Sequence, residues 1–246
     1  ITQQTYKPGK LTIATGQPAY EPWVMNDKPE SGEGYEAAVA YAVADKLGFK
    51  KSDVVWTRTA FDTAIAPGAK DWDFNIQQFG ITDERKKAVD FSSSYYNDSQ
   101  SVVVKKDSKF ANATKVSDLK DATVGVMVGT LAYDYAKANI KDDIQTFNDD
   151  AALAQALDAG QIDALVTSTV ECVYMVQSEQ VKDAKVLGRL PDSEDKSGMG
   201  IVLPKDSKLT AAVTKAVDDL NADGTIKKLQ DKWLAEYTTD LTELKK

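Results

Sequence analysis

Apolar positions repeat along the chain in two alternating patterns, one for strands and one for helices. Residues 10–15 (KLTIAT) predict a strand, followed by a loop of turn formers as far as Gly34. From Tyr35 to Leu47 the apolar side chains fall at 35, 38, 39, 42, 43 and 47, one face of a helix, and Gly48 stands where a C-terminal cap belongs. Strands are predicted at 53–57 and 73–78, a short helix at 60–66, and a helical turn opened by Thr82 as N-cap. Residues 100–105 (QSVVVK) predict a strand with no helix after it. A second series follows, with strands at 123–127, 144–147 and 162–167 and helices at 130–139, 149–159 and 169–178. Residues 199–203 predict one more strand, and two helices, 207–221 and 224–235, are separated by Gly224.

Alternating strands and helices imply an α/β fold with mostly parallel sheets. The two series predict two lobes, the second inserted into the first. The first lobe comprises 1–100 plus 203–246 and the second 104–198. Two connecting strands, 99–103 and 198–202, make two crossings, which imply a hinge and a cleft of the kind that takes small ligands.

Composition narrows the function. The 246 residues hold no His and one Cys, with 30 Lys and Arg against 38 Asp and Glu, a net charge of −8. Nucleophilic triads built on His and imidazole zinc sites are therefore absent. Cys172 has no second cysteine to pair with and sits in an apolar helical stretch, where it predicts a packing residue. The acidic balance disfavours nucleic acid and anionic membranes. No apolar run reaches the roughly 18 residues of a membrane helix. The opening ITQQTYKPGK has neither initiator Met nor a signal h-region and reads as a mature or trimmed start. No calcium loop or glycine-rich phosphate loop occurs, and no cofactor, metal or catalytic residue is expected.

Four groups of residues offer binding chemistry. Arg85 follows the strand that ends at Gln78, on the strand edge where α/β sheets place ligands, and can clamp a carboxylate with two hydrogen bonds; its bland alternative is a solvated charge. Gly129 and Thr130 open a helix, a ready anion site or simply an N-cap. Ser168, in the turn Thr167-Ser168-Thr169, caps a helix or faces the cleft, with Glu171 in the first helical turn. Tyr20, Trp23, Phe61 and Phe79 all lie at carboxyl ends of predicted strands, an arrangement that suggests a stacking box or surface packing. The acid pairs Asp142-Asp143, Asp149-Asp150 and Glu194-Asp195 fall in turns and helix starts, where solvated acids are expected.

Five ordered blocks span nearly the whole chain: YEPW…GEGYEAAVAYAVADKLGF, WDFNIQQFGITDERKKAVDFSSSYY, VSDLKDATVGVMVGT, ALDAGQIDALV and LNADGTIKKLQDKWL. Together they resemble the polar amino-acid family of extracytoplasmic solute-binding proteins of ABC transporters. The resemblance implies two α/β lobes that close like a flytrap, with hinges near Ser99–Val103 and Gly198–Val202. It implies that Arg85 grips the ligand α-carboxylate, assisted by the backbone at Gly129 and Thr130. Tyr20 and Phe61 match the aromatic positions that sandwich the ligand, and Gln17 lies in the same first loop. Gln78, Phe79 and Gly80 complete the contact segment.

Four positions depart from the family pattern. Ser168 stands where members usually carry the Asp that pairs with the ligand ammonium. Gly80 and Leu131 stand where Ser or Thr is common, and Phe79 where a smaller aliphatic is. The carboxylate half of the site is kept while the ammonium half is weakened, and losing a carboxylate partner to a buried ammonium costs on the order of several kcal/mol. Either Glu171 replaces the missing acid, or the ligand is not a standard α-amino acid, through divergent or redesigned specificity.

The leading reading is a monomeric, non-enzymatic binding protein for an amino acid or related small carboxylate solute. It docks on a membrane ABC permease and is located in the periplasm or anchored to the outer face of the cell membrane. Two alternatives stand beside it. One is a dehydratase-like enzyme on the same fold, with Glu171 as acid. The other is the ligand-binding module of a receptor, which the charged end TTDLTELKK disfavours.

Overall fold

A computed structural model describes all residues, 1–246, and divides them into two compact units, Ile1–Asn97 with Lys196–Ala235 and Asp98–Asp195 with Glu236–Lys246. The first unit contains β1 (Leu11–Thr15), α1 (Tyr35–Lys46), β2 (Val54–Arg58), α2 (Phe61–Ala64), β3 (Phe74–Asn75), α3 (Asp83–Lys86) and β4 (Val89–Tyr96). The second contains β5 (Gln100–Lys105), β6 (Val124–Met127), α4 (Leu131–Asn139), β7 (Gln145–Phe147), α5 (Asp150–Asp158), β8 (Ala164–Ser168), α6 (Thr169–Gln177) and β9 (Ala184–Arg189). The chain then returns to the first unit for β10 (Met199–Pro204), α7 (Thr210–Ala222) and α8 (Thr225–Trp233). The short helix α9 (Ala235–Thr238) straddles the last boundary.

Each unit is built on a five-stranded sheet, in the orders β2-β1-β3-β10-β4 and β7-β6-β8-β5-β9. In each sheet four strands run in one direction, and one, β10 or β5, runs antiparallel to both of its neighbours. The expected mostly parallel sheets are therefore mixed. The difference lies in the direction of β10 and β5; the outer strands β4 and β9 are ones the periodicity does not predict. The stretch VDFSSSYY carries three serines where a strand usually shows branched apolar residues, and AKVLGR has its few apolar residues broken by Lys185 and Gly188. The predicted strand 73–78 is only Phe74–Asn75, because Gln78 turns into a left-handed conformation (φ 51°).

The expected helices form, because their apolar faces have a sheet to cover. Helix α1 buries Tyr35, Ala37, Val39, Ala40, Val43 and Ala44. In the second unit Leu153, Leu157, Leu165, Cys172 and Met175 pack with Val103 in one cluster, which places Cys172 in the core as expected. The dominant stabilising effect is this apolar burial, roughly 1.5–3 kcal/mol per large side chain.

The chain passes between units at 97–98 and 195–196, just before the stretches expected as hinges, and again at 235–236. The third passage corrects the assignment of 236–246 to the first unit. Leu244 is 3% exposed, its N–H donates to the Arg189 carbonyl (2.8 Å), and the N–H of Val116 donates to the Lys245 carbonyl (2.8 Å). The tail thus hydrogen-bonds to the second unit as an added edge segment.

Candidate functional site

In the first unit the candidate residues gather where β2 and β3 end. Thr82 caps α3 as expected: its hydroxyl accepts from the Arg85 N–H (3.1 Å), which fixes the backbone from which the guanidinium projects. Arg85 Nη1 donates to the Gly80 carbonyl (2.7 Å), and its Cζ lies 5.3 Å from the centre of the Phe61 ring. Phe61 in turn packs on Phe79, with ring centres 4.7 Å apart. A guanidinium held by one carbonyl and one ring face keeps most of its donors free. None of the ion pairs in the structure involves Arg85, and partial burial lowers its pKa. Arg85 is thus a partly buried cation without an acid partner among the ion pairs of the structure.

The four aromatics separate into two kinds. Tyr20 and Phe61 are exposed, at 53% and 38%. Trp23 and Phe79 are not; they are 3% and 0% exposed. Trp23 packs against Tyr35 and Tyr96, so it is core, and Phe79 supports Phe61 from behind. Of the four rings expected to form a box, two are exposed and two belong to the core. Gln17 is exposed in the same loop as Tyr20.

Gln78 does not point outward as a free polar contact. Its backbone N–H donates to Glu36 Oε2 (2.9 Å), and its side-chain amide donates to Glu36 Oε1. Glu36 is fully buried and also accepts from the Tyr95 hydroxyl. Burial raises the Glu36 pKa, and these donors act against the rise. This network sets the left-handed turn that delivers Phe79 and Gly80 to Arg85. Sequence reasoning passed over Glu36 because it lies off the predicted apolar face of α1, where a carboxylate reads as solvated.

In the second unit Gly129 adopts φ 73°, which a side chain would strain, and Thr130 caps α4. The Thr130 hydroxyl accepts from Tyr133 N–H (3.3 Å) and donates to the Met127 carbonyl (2.7 Å). The N-cap reading of Thr130 therefore holds, and the first-turn N–H groups of α4 remain a partial positive end. Leu131, beside it, is 47% exposed.

Ser168 precedes α6 but makes no side-chain cap. Asp98 sits at this helix start instead. Burial pushes its carboxyl up to about 7; the Ser99, Val170 and Thr169 N–H groups and the Ser168 hydroxyl favour the charged form. Asp98 Oδ1 accepts from Ser99 N–H (2.8 Å), so the carboxylate faces the N–H groups at the start of α6. Glu171, in the first turn of α6, is pushed up to about 8 by burial and then by Asp150 and Asp98. Burial and Asp149 raise Asp150 to about 6, and its Oδ1 is sealed without a partner. The expectation that the Asp149-Asp150 pair is merely solvated fails for Asp150. Asp149 is the ordinary N-cap of α5, accepting from Ala152 N–H (2.7 Å).

With this geometry, comparison with known proteins becomes informative. The profile of the bacterial extracellular solute-binding proteins, family 3, matches residues 11–236. The chain belongs to this family. Among its relatives in family 3, the L-arginine-binding protein of Pseudomonas aeruginosa is 29% identical over 93% of this chain and 88% of its own length. The L-cystine-binding protein TcyJ of Escherichia coli (strain K12) is 30% identical over 89% of this chain and 81% of its own length. An ancestral arginine-binding protein bound to arginine superposes with a TM-score of 0.70 at 31% identity, covering 92% of this chain and 98% of the other. The ancestral amino-acid-binding protein AncCDT-1, a precursor of cyclohexadienyl dehydratase, gives a TM-score of 0.68 at 31% identity, covering 92% and 95%. These matches agree with the α/β, two-unit periplasmic-binding-protein architecture that the sequence resemblance implies.

Proposed function

We propose that this family 3 protein is the extracytoplasmic receiving component of an ABC importer, capturing an amino acid or a close relative and presenting it unchanged to a membrane permease. The observation that carries the reading is Arg85, a partly buried guanidinium with no carboxylate partner, backed by Phe61 and held by Gly80. In this reading Arg85 binds the ligand carboxylate and Tyr20 and Phe61 of the same unit lie against the remainder of the solute, while in the second unit the helix start at Gly129 and Thr130 offers its N–H groups to an anion. Gln17 in the first unit and Ser168 and Glu171 in the second are proposed as polar contacts. The names of the relatives, which include arginine and cystine binders, support an amino acid as the solute class.

A thermal-unfolding screen with the standard amino acids tests this. A true ligand at about 100 times its Kd stabilises the protein by roughly 2.7 kcal/mol. No shift with any amino acid contradicts the reading.

A second reading has one observation in its favour. Glu171 holds a carboxyl pushed up to about 8, suited to a general acid, and a structural relative is a dehydratase precursor. Loss of water from a cyclohexadienyl acid, abolished in Glu171→Gln, would establish it; absence of turnover leaves the binding reading.

A further inference from the structure

Arg58 is the last residue of β2 and pairs in register with Thr15, the last of β1. The segment that carries Tyr20 leaves from Thr15, and the turn into Phe61 leaves from Arg58, so both exposed rings depend on this pair of strand ends. The Arg58 guanidinium reaches across the Tyr20 segment. Its Nη1 donates to the Gly16 carbonyl (2.8 Å) and to Asp27 Oδ1, and its Nη2 donates to the Asp27 carbonyl (2.8 Å). Asp27 Oδ1 also accepts from the Ala19 N–H (2.8 Å). One planar fork thus joins the two ends of segment 16–27, and the carboxylate it holds reaches the residue before Tyr20.

Two features show that this clamp holds something the segment would otherwise give up. Asn26 and Asp27 are consecutive non-glycine residues in the left-handed region, each with φ 54°. Such residues are strained and persist only where their surroundings over-determine them. The core, moreover, holds only part of the segment. Ala19, Trp23 and Val24 are buried, Ala19 and Val24 together with Ala37, while Gln17 and Tyr20 are exposed. The Arg58–Asp27 pair is itself partly exposed, where Coulomb attraction is screened, so its value lies in the geometry of the fork.

From this geometry we infer that Arg58, with Asp27, is a positioning residue for solute binding: it holds segment 16–27 in its binding-ready form, with Gln17 and Tyr20 already presented. The inference rests on the reading that Tyr20 lies against the solute. Arg58 and Asp27 act through the segment and not by touching the solute. Releasing the clamp lowers the fraction of molecules that are ready to bind, and the apparent affinity falls in proportion.

Hydrogen exchange on ligand-free protein and calorimetry test this together. The calorimetric probe is the tightest binder to wild type among the standard amino acids and L-cystine. Arg58→Met, confirmed folded by thermal unfolding, speeds exchange at the Ala19 amide by about tenfold or more, while Val43 in α1 stays protected. It binds the probe about tenfold weaker, as expected when the ready fraction falls to about a tenth. Asp27→Asn, which suits a left-handed backbone but gives up the charge, weakens binding in the same direction and carries the test if Arg58→Met does not fold. Arg58→Lys restores the charge but cannot span both carbonyls, so it recovers only part of the affinity. In a Tyr20→Ala background the Arg58→Met effect on affinity shrinks to about twofold or less, because the segment no longer has a ring to present. Wild-type exchange at Ala19 or wild-type affinity in the folded variant overturns the inference. So does full rescue by Arg58→Lys, or a loss that persists undiminished in Tyr20→Ala. These results leave the amino-acid reading standing; if no probe binds wild type, that reading falls and the inference with it.

Discussion

Arg85 and Glu171 show how a single side chain takes its meaning from its surroundings. In the run ITDERKK, Arg85 is one charge among five; the fold alone gives it a ring face, one carbonyl and no acid. Glu171 sits in an apolar helical stretch, where sequence predicts only a carboxylate favoured by the helix dipole. The fold adds Asp98, from a loop with no distinguishing pattern, and Asp150, from a pair that resembles solvated turn acids. These acids bear on stability as well as on charge. Glu171, Asp98 and Asp150 hold protons up to about 8, 7 and 6, above their ordinary range near 4. The folded state therefore binds more protons than the unfolded state between those limits, and stability falls as pH rises through them. The carboxylates held below their usual range, such as Asp27 and Asp158, titrate below this window and do not mask it. Ligand-free protein is expected to lose thermal stability from pH 5 to 8.5. Glu171→Gln should flatten that loss and raise stability at pH 8.5 by about 1 kcal/mol, a Tm gain of roughly 2–4 °C. A wild-type melting temperature that climbs steadily from pH 5 to 8.5 would refute this.

At the scale of elements, the helices were the legible part, because a 3.6-residue apolar stripe needs no knowledge of its partner. Helices α1, α4, α5 and α6 form within two residues of their predicted bounds, and the caps at Thr82 and Thr130 are made by the expected hydroxyls. The strands β4 and β9 were not legible. Their apolar content is thin, and they are strands because β10 and β5 present edges to them. The exposed half of the aromatic set was not legible either: Trp23 and Tyr20 belong to one loop, and only packing against Tyr35 and Tyr96 makes Trp23 core. Thr130→Ala removes a cap and is expected to cost about 1 kcal/mol, read by urea unfolding, while Thr130→Ser keeps most of it. Glu36→Ala leaves the Gln78 amide and the Tyr95 hydroxyl without their acceptor. It is expected to cost roughly 2–4 kcal/mol and to weaken ligand binding by loosening the turn before Arg85. If Glu36→Ala unfolds at the wild-type urea midpoint, the network is not structural.

The molecule as a whole is two sheets with one chain wound through both, and its end matters more than its sequence suggests. The last eleven residues, 236–246, group with the second unit through Leu244 and hydrogen bonds to Arg189 and Val116. Ending the chain after Ala235 should speed amide exchange at Arg189 and Val116 and leave Ile201, in β10 of the first unit, protected; unchanged exchange at Arg189 would show that the tail does not hold. Arg85 remains the centre of the functional account. The most direct measurement is calorimetry of the tightest-binding amino acid against wild type and Arg85→Ala, with folding of the variant checked by thermal unfolding. The account predicts that the variant binds about a hundredfold or more weaker, near 2.7 kcal/mol. An unchanged Kd in Arg85→Ala would contradict it.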